Sequence, residues 1–174
     1  MNVRVIPANQ FETHIPALAR ILCECVADGA AVHFLNDLDQ AGAEEFWRSV
    51  GERYSAGELL VLGAFVDEAL AGTVSLILNT PPNQPHRAEI SKLLVSTRFR
   101  RMGIAKALMQ AVEAEAKIYK RDLLILDTNT ESAAELLYLS LGWQKIGEIP
   151  RYSLTPDGRP KPASFFYKDL SPKN

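Results

Sequence analysis

The amino-acid sequence predicts one domain of the mixed α/β class. A length of 174 residues is typical of a single domain, and 47% of the residues are apolar, which is enough for a substantial core. The apolar pattern over residues 88–126 is strand, helix, strand, which implies a parallel strand pair joined by a right-handed crossover. The segments 59–66 and 70–78 predict a β-hairpin, which adds antiparallel strands to the same sheet.

The first part of the chain predicts a short strand, Val3–Ile6, and two amphipathic helices. Thr13 is expected to cap the first helix, with Pro16 in its first turn and Asp28-Gly29 as its end. Its apolar residues recur at helical spacing: Ile15, Leu18, Ala19, Leu22 and Val26. Asp39 is expected to cap the second helix, whose apolar face comprises Ala43, Phe46, Trp47, Val50 and Tyr54.

The remaining elements follow from turn residues and apolar runs. Asp67-Glu68 predicts the hairpin turn, and the prolines of 81–85 predict a loop. A strand, a basic loop and a helix are then predicted at Ala88–Val95, Ser96–Gly103 and Ile104–Tyr119. The chain is expected to continue with strand Leu123–Leu126, helix Ser132–Leu141, and strands Trp143–Glu148 and Ser164–Lys168.

Charge and composition exclude several classes of protein. The net charge of −2 means that bulk charge does not hold this chain to nucleic acid. No apolar run reaches the roughly 18 residues of a membrane helix, and the first residues lack the pattern of a secretory signal. Cys23 and Cys25 are expected to pack on different faces of a helix, and the histidines are too scattered for a zinc site. The predicted compartment is the cytoplasm.

The segment from Arg98 to Lys106 is rich in cations and joins a predicted strand to a predicted helix. The first N–H groups of a helix are unpaired and carry partial positive charge. Gly103 allows the backbone to approach a ligand, and Ala105 keeps the next turn open. A solvated basic loop would carry the same charges, but the strand–loop–helix order favours a phosphate site at this helix end.

The hexapeptide Arg100-Arg101-Met102-Gly103-Ile104-Ala105 resembles the R/Q-x-x-G-x-G/A signature of the GCN5-related N-acetyltransferases (GNAT). The likeness extends over nearly the whole chain. It implies the GNAT fold, which is a mixed, mostly antiparallel central sheet with a parallel central strand pair, flanked by helices on both faces. It also implies acetyl-CoA as cosubstrate, no metal, and loop amides that hold the pyrophosphate of coenzyme A.

The same resemblance implies a set of coenzyme A-binding positions: Leu93, Leu94, Val95, Arg100, Arg101, Met102, Gly103, Ile104, Ala105, Lys106 and Ala134. Backbone N–H groups near Leu94 are the implied partners of the pantetheine arm and of the oxyanion. Many members have Asn seven residues before the family's tyrosine, where this chain has Glu131. The expected contacts to the arm at that point are therefore backbone contacts.

Shorter motifs resemble a narrower group, the tabtoxin-resistance acetyltransferase and its relatives, which acetylate a small amino-acid-like antibiotic. They include Arg87-Ala88-Glu89, Lys92-Leu93, Leu126-Asp127-Thr128, Pro156-Asp157-Gly158-Arg159 and Phe166-Tyr167-Lys168. This likeness implies that the acceptor is a small amino-acid-like molecule.

Two carboxylates are candidates for the catalytic base. Glu89 lies in a strand expected at mid-sheet, where a carboxylate is costly unless it is hydrogen-bonded or functional. Asp127 ends the next predicted parallel strand, so both side chains are expected in one cleft. The tabtoxin-resistance enzyme has carboxylates at both matching positions. The alternatives are a Glu89 ion pair with Arg87 or Lys92, and an Asp127 side chain that caps the next loop.

The helical spacing of Tyr138 predicts a core aromatic residue. The resemblance implies instead that Tyr138 is the acid that protonates the leaving thiolate. Lys92 is assigned to the network of the two carboxylates, with a solvated lysine as the alternative. His33 lies in a loop that covers the acceptor site in the GNAT family, and a position on the surface is the alternative for it. His33 and Lys92 are the candidate substrate-binding residues. Three other aromatic residues are assigned to packing: Tyr119, Trp143 and Phe166.

The predicted function is acetyl-CoA-dependent transfer of an acetyl group to the amine of a small molecule. The alternatives are a non-catalytic acyl-CoA-binding sensor domain and an acetyltransferase for protein N-termini. The second alternative needs an open groove, whereas the proline-rich loops 81–85 and 150–162 favour a covered site. No nucleic-acid or membrane partner is predicted, and the resemblance allows a homodimer built through the strand at 164–168.

Overall fold

The central element of the fold is a seven-stranded mixed sheet. The computed structural model describes residues 1–30 and 32–172. The strands are β1 Asn2–Val5, β2 Leu59–Val66, β3 Ala69–Ile77, β4 Arg87–Val95, β5 Leu123–Asn129, β6 Gln144–Leu154 and β7 Pro160–Asp169. The helices are α1 Phe11–Ala27, α2 Gln40–Ser55, α3 Ile104–Ile118 and α4 Ala133–Ser140.

The strand order is β1-β2-β3-β4-β5-β7-β6. Over the described residues, β4 and β5 are parallel and the other neighbouring strands are antiparallel. Helix α3 connects the parallel pair, which confirms the predicted crossover, and β2 and β3 form the predicted hairpin.

Strands β2 and β3 form the centre of the core, because residues 59–65 and 70–76 are buried without interruption. Successive strand residues point to opposite faces, so helices cover both faces of this part of the sheet. Helices α1 and α2 pack against each other and against β2, β3 and β4, while α3 packs against β1 to β4. The predicted α/β architecture is therefore confirmed.

Helix α1 begins earlier than predicted. It starts at Phe11 with Gln10 in the N-cap position, so the prediction that Thr13 caps it is wrong. The Thr13 hydroxyl donates instead to the backbone oxygen of Gln10 at 2.7 Å, and Pro16 lies beyond the first turn. A 3₁₀ turn runs directly into this helix, and a capping pattern does not reveal such an entry. Asp39 does cap α2, accepting a hydrogen bond from the Gly42 N–H at 2.8 Å.

The second half of the chain shows three further differences. Tyr119 is 46% exposed rather than in the core, because α3 ends at Ile118 and the chain turns there. Strand β5 continues to Asn129, so Asp127 lies within the strand rather than at its end. Strands β6 and β7 are longer than predicted because they pair with each other and β7 also pairs with β5. Trp143 and Phe166 are buried, as predicted.

Candidate active site

A cleft opens where the two parallel strands separate. Strands β4 and β5 are joined by three residue pairs, the last of which is Glu89–Ile125. Farther along β4, Lys92 adopts a left-handed φ of +53°, and the register between β3 and β4 shifts at this point. Such a bulge bends a strand and increases its local twist. The separated strands leave a cleft of about 650 Å³.

Most of the predicted site residues line this cleft: Glu89, Asp127, Tyr138, Lys92, His33, Leu93, Leu94, Val95, Arg100, Arg101, Ala105 and Ala134. Four predicted positions of the basic loop lie outside the lining: Met102, Gly103, Ile104 and Lys106. The Ile104 side chain belongs to the core, so the backbone N–H is the part of this residue that remains for a ligand.

The lining also contains residues that were not predicted as site residues, among them Cys25, Asp28, Thr128, Asn129, Ser132, Leu137 and Lys161. Asn129 could have been found, because a strand that continues past Leu126 places alternate residues on the face of Asp127. Lys161 carried no signal, since it is a single lysine in a proline-rich segment.

The start of α3 has the features of an anion site. Gly103 occupies its N-cap position with a left-handed φ of +78°, and no side chain caps the first turn. A Cβ at Gly103 would meet no atom within 4 Å among the described residues, so the space beside this glycine is open. Unpaired N–H groups next to open space fit a pyrophosphate.

Two carboxylates, Glu24 and Asp28, fasten this loop to the end of α1. The Glu24 carboxylate accepts hydrogen bonds from the Ser96 hydroxyl at 2.7 Å and from the Thr97 N–H at 3.1 Å. The Arg100 guanidinium pairs with the Asp28 carboxylate at 2.5 Å. Because Arg100 is held in this pair, the backbone amides of the loop are the groups better placed to receive phosphate.

Glu89 and Asp127 lie on the same face of the adjacent strands. Glu89 pairs with Ile125, and Asp127 lies two residues beyond Ile125, which keeps it on that face. Burial raises the pKa of the Glu89 carboxyl, and the charge of Asp127 raises it further. A carboxylate that holds its proton more strongly than usual is better matched to proton abstraction near neutral pH.

The alternative roles for these carboxylates are not seen. The Arg87 guanidinium donates to the Gln84 side chain at 2.8 Å instead of pairing with Glu89. The cap of α4 is Ser132, whose hydroxyl accepts a hydrogen bond from the helix backbone at 3.1 Å, rather than Asp127. Both carboxylates therefore line the cleft without these structural roles.

Lys92 contacts a histidine inside the cleft. Its Nζ lies 3.2 Å from His33 Nδ1 and 5.4 Å from the ring centroid of Phe46. Burial lowers the pKa of Lys92 to about 8, while Asp127 and Glu89 act in the opposite direction. The charge of Lys92 in turn lowers the pKa of His33. The imidazole is thus neutral near pH 7, and its Nδ1 accepts a hydrogen bond from the ammonium group.

Tyr138 combines a core ring with a hydroxyl that has access to the cleft. The ring packs against Trp143 and Phe166, with centroid separations of 6.0 and 5.9 Å. Burial, assisted by the charge of Asp127, raises the pKa of Tyr138 well above its ordinary value. Within the described part of the chain its hydroxyl has no hydrogen-bond partner, and the residue lines the cleft.

A backbone hydrogen bond joins two segments that border the cleft. The Asn36 N–H, in the loop between α1 and α2, donates to the Pro156 oxygen of the β6–β7 turn at 2.9 Å. The first segment carries His33 and the second leads to Lys161, and both of these residues line the cleft. The bridge therefore ties together two segments that each contribute a residue to the lining.

Comparison with known proteins identifies the family. Residues 20–143 match the model of the acetyltransferase (GNAT) family. The chain belongs to the GNAT family. This GNAT protein is 36% identical over 83 residues to N-acetyltransferase 8B of Rattus norvegicus and over 84 residues to N-acetyltransferase 8 of Homo sapiens. Each match covers 47% of this chain but only 37% of the relative's length.

Solved structures show the same GNAT fold over the whole chain. The ribosomal-protein-alanine N-acetyltransferase of Brucella melitensis superposes with a TM-score of 0.82 at 24% identity, covering 98% of this chain and 100% of that one. The protein yncA of Salmonella typhimurium, solved with its cofactor acetyl-CoA, gives 0.80 at 18% identity, covering 100% of this chain and 96% of that one. The predicted GNAT fold is confirmed, whereas the narrower tabtoxin-resistance likeness stays a prediction.

The described residues contain no cluster of three or more His, Cys, Asp or Glu side chains that could hold a metal ion. Among the helices described here, none has the length and apolar content needed to cross a membrane.

Proposed function

We propose that this GNAT protein is an acetyl-CoA-dependent N-acetyltransferase whose acceptor is a small amine. The observation that carries the proposal is one cleft that reaches the start of α3 through Arg101 and Ala105 and is also lined by two carboxylates and a tyrosine. A thioester and an amine need little covalent help from a protein. They need to be held together, and the protons need to be moved.

The residues present fit coenzyme A. The first amides of α3, beside Gly103, would hold the pyrophosphate. Beyond Glu89 the side of β4 that faces β5 is no longer paired with that strand, so backbone groups of 93–95 are available to the pantetheine arm. When bound, acetyl-CoA supplies the activated acetyl group.

The carboxylates, the backbone near Leu94 and Tyr138 then have separate tasks. Glu89 or Asp127, directly or through a water, takes the proton that the acceptor ammonium must lose before nitrogen can attack. Backbone N–H groups near Leu94 stabilise the negative charge that develops on the carbonyl oxygen. The Tyr138 hydroxyl gives its proton to the departing sulfur and is reprotonated by the second proton that nitrogen loses as the tetrahedral intermediate collapses. The first proton, taken by the carboxylate, is released to solvent, so one proton is released per acetyl group transferred.

The hydrogen bond between Asn36 and Pro156 favours a small acceptor over a protein N-terminus. A peptide needs an open groove for its chain, and this bridge holds together two segments beside the cleft that such a groove would have to separate. The finer proposal, that the acceptor is an amino-acid-like antibiotic or toxin, is supported by the shorter sequence motifs around Glu89, Asp127 and Pro156.

A screen of acceptors tests the proposal. Purified protein is incubated with acetyl-CoA and with amino acids, polyamines or amino-acid-like antibiotics, and thiol release is recorded. Release that depends on an added small amine supports the proposal. Tight acetyl-CoA binding without release for any amine indicates the sensor domain instead, and release only with peptides indicates an N-terminal acetyltransferase.

A further inference from the structure

Two cleft residues that touch each other both have left-handed backbones. Lys92 has a φ of +53° and His33 a φ of +74°, and their side-chain nitrogens lie 3.2 Å apart. Residues other than glycine rarely adopt this conformation, and such strain is concentrated at functional sites. Both positions therefore combine an uncommon backbone conformation with a polar side chain that lines the cleft.

The ammonium group of Lys92 has no carboxylate at ion-pair distance. Among the described residues, none of the salt bridges within 4 Å includes Lys92. Its hydrogen-bond partner is the imidazole of His33, which is neutral near pH 7. Burial also works against the charged form, which brings its pKa down to about 8. A half-buried cation with a neutral partner is stabilised by an added anion.

The pair offers two donors to such an anion. His33 Nδ1 accepts from Lys92, so the ring proton of the neutral imidazole is on Nε2, which can donate. The ammonium of Lys92 keeps further N–H groups beyond the one that His33 receives. A carboxylate has two acceptor oxygens and matches this arrangement.

The charges that line the cleft match a ligand that carries both a positive and a negative group. Apart from the coenzyme A loop and Asp28, whose charge is paired with Arg100 of that loop, the charged lining residues are Glu89 and Asp127 on one hand and Lys92 and Lys161 on the other. These charges cancel, so a ligand that is itself neutral overall but dipolar complements them. A polyamine would satisfy the carboxylates but would be repelled by the two lysines.

We propose that the acceptor is a small zwitterion, an amine that also carries a carboxylate or similar anionic group, and that Lys92 with His33 binds this group. Glu89 and Asp127 receive the ammonium at the same time, and Lys161 adds a second positive charge to the cleft lining. This inference rests on the proposed N-acetyltransferase function and deepens it, because it assigns the acceptor class to particular side chains.

The test compares matched acceptors. Each protein amino acid is offered beside its carboxamide and its decarboxylated amine, and kcat/KM is measured by thiol release. The three compounds share an amine and a side chain but differ in the anionic group. We expect the wild-type protein to prefer the acid over both analogues by about tenfold to a hundredfold, the range for a hydrogen bond to a charged group.

Variants of Lys92 test whether the Lys92–His33 pair causes the preference for the acid. In Lys92→Met the preference should largely disappear, mainly through KM, while Lys92→Arg should retain part of it. The matched control Lys117→Met removes an exposed lysine of α3 that is outside the cleft lining, and it should behave like the wild type. Acetyl-CoA affinity, measured by calorimetry on each variant, reports whether the fold and the coenzyme A site are intact.

The outcomes separate the two proposals. Equal use of acid, amide and amine, acetylation of polyamines but of no amino acid, or an unchanged preference in a Lys92→Met protein that binds acetyl-CoA normally would overturn this inference and leave the acetyltransferase function standing. Absence of thiol release with any amine would remove the proposed function and this inference together.

Discussion

At the scale of single residues, the carboxyl of Glu89 shows how the cleft sets function against stability. Its pKa in the folded protein lies above the ordinary value because burial and Asp127 both disfavour the anion. For an acid with a raised folded pKa, stability falls as pH rises from the unfolded pKa through the folded pKa. The ionised carboxylate therefore destabilises the fold at neutral pH.

Glu89→Gln should consequently raise the thermal midpoint at neutral pH and lower turnover by about 10²–10⁴-fold if Glu89 is the base. The gain in midpoint should vanish below the unfolded pKa, at about pH 4. Calorimetry at both pH values and thiol release on the same samples check this. Asp127→Asn is the companion variant, and full activity of both variants on either side of neutrality would remove the carboxylate base.

The pH profile identifies which carboxylate accepts the proton. Asp127 raises the pKa of Glu89 and Lys92 lowers it. If Glu89 is the base, Asp127→Asn should move the acidic limb of kcat/KM to lower pH, and Lys92→Met should move it to higher pH. Both profiles are recorded with one acceptor. If the acidic limb stays in place in both variants, the group that titrates there is not Glu89.

Tyr138→Phe deletes the hydroxyl and keeps the ring against Trp143 and Phe166. Turnover should fall moderately, because a thiolate with an ordinary pKa of about 8.5 leaves without full protonation. Stability should hold, since within the described residues the hydroxyl has no partner to lose. A purely structural tyrosine would show the reverse, with unchanged turnover and a loss of about 1 kcal/mol in the free energy of unfolding.

At the scale of elements, the cleft depends on two local backbone irregularities next to regular structure. The bulge at Lys92 lets β4 leave β5, and the left-handed Gly103 turns the chain into α3. Contacts of Glu24 and of Arg100 then hold the loop between them against α1. The loop is thus rigidly attached, which is what binding through backbone amides requires.

Substitutions at Gly103 separate bulk from backbone strain. Gly103→Val should weaken acetyl-CoA binding severely, because a branched side chain disfavours φ near +78° and fills the open space beside the amides. Gly103→Asn adds bulk but tolerates this backbone, so its folding should suffer less. Arg100→Ala should cost less affinity than Gly103→Val, since Arg100 is paired with Asp28. Calorimetry measures all three. Parent-like binding by Gly103→Val would place the pyrophosphate elsewhere.

At the scale of the whole molecule, a hydrogen bond joins two loops that lie beside the cleft and far apart in the chain. The Asn36–Pro156 hydrogen bond connects the α1–α2 loop with the β6–β7 turn. Asn36 is the second residue of a turn closed by a hydrogen bond from Leu38 to Leu35, a position that suits proline. The bond can therefore be deleted without removing the turn.

Asn36→Pro should raise the KM of the acceptor and leave acetyl-CoA affinity unchanged, because it removes the N–H that Pro156 receives. Asn36→Ala keeps the N–H and is the matched control. Steady-state kinetics with varied acceptor, together with calorimetry for acetyl-CoA, check both statements. Equal acceptor KM in the two variants would mean that the bridge has no part in acceptor binding.

Local features of the chain were predictable because their causes lie within a few residues. Helical spacing predicted α2 and α3, the Asp67-Glu68 turn predicted the hairpin, and Asp39 predicted a cap. The signature around Gly103 indicated the family that the comparison then showed. The parallel order of the two strands was enough to expect Glu89 and Asp127 in one cleft, which both residues line.

The tertiary structure decided the features that depend on residues distant in sequence. The lengths of β6 and β7 come from their pairing, and the burial of an aromatic residue such as Tyr119 depends on what packs over it. The contact of Lys92 with His33 joins the loop after α1 to β4, and the pair of Arg100 with Asp28 joins the end of α1 to the loop that follows β4. By itself the sequence determined the elements, the family signature and the chemistry available. Only the folded chain decided which charges meet, because the energy of a charge depends on its burial and neighbours, and these are set by contacts across the fold.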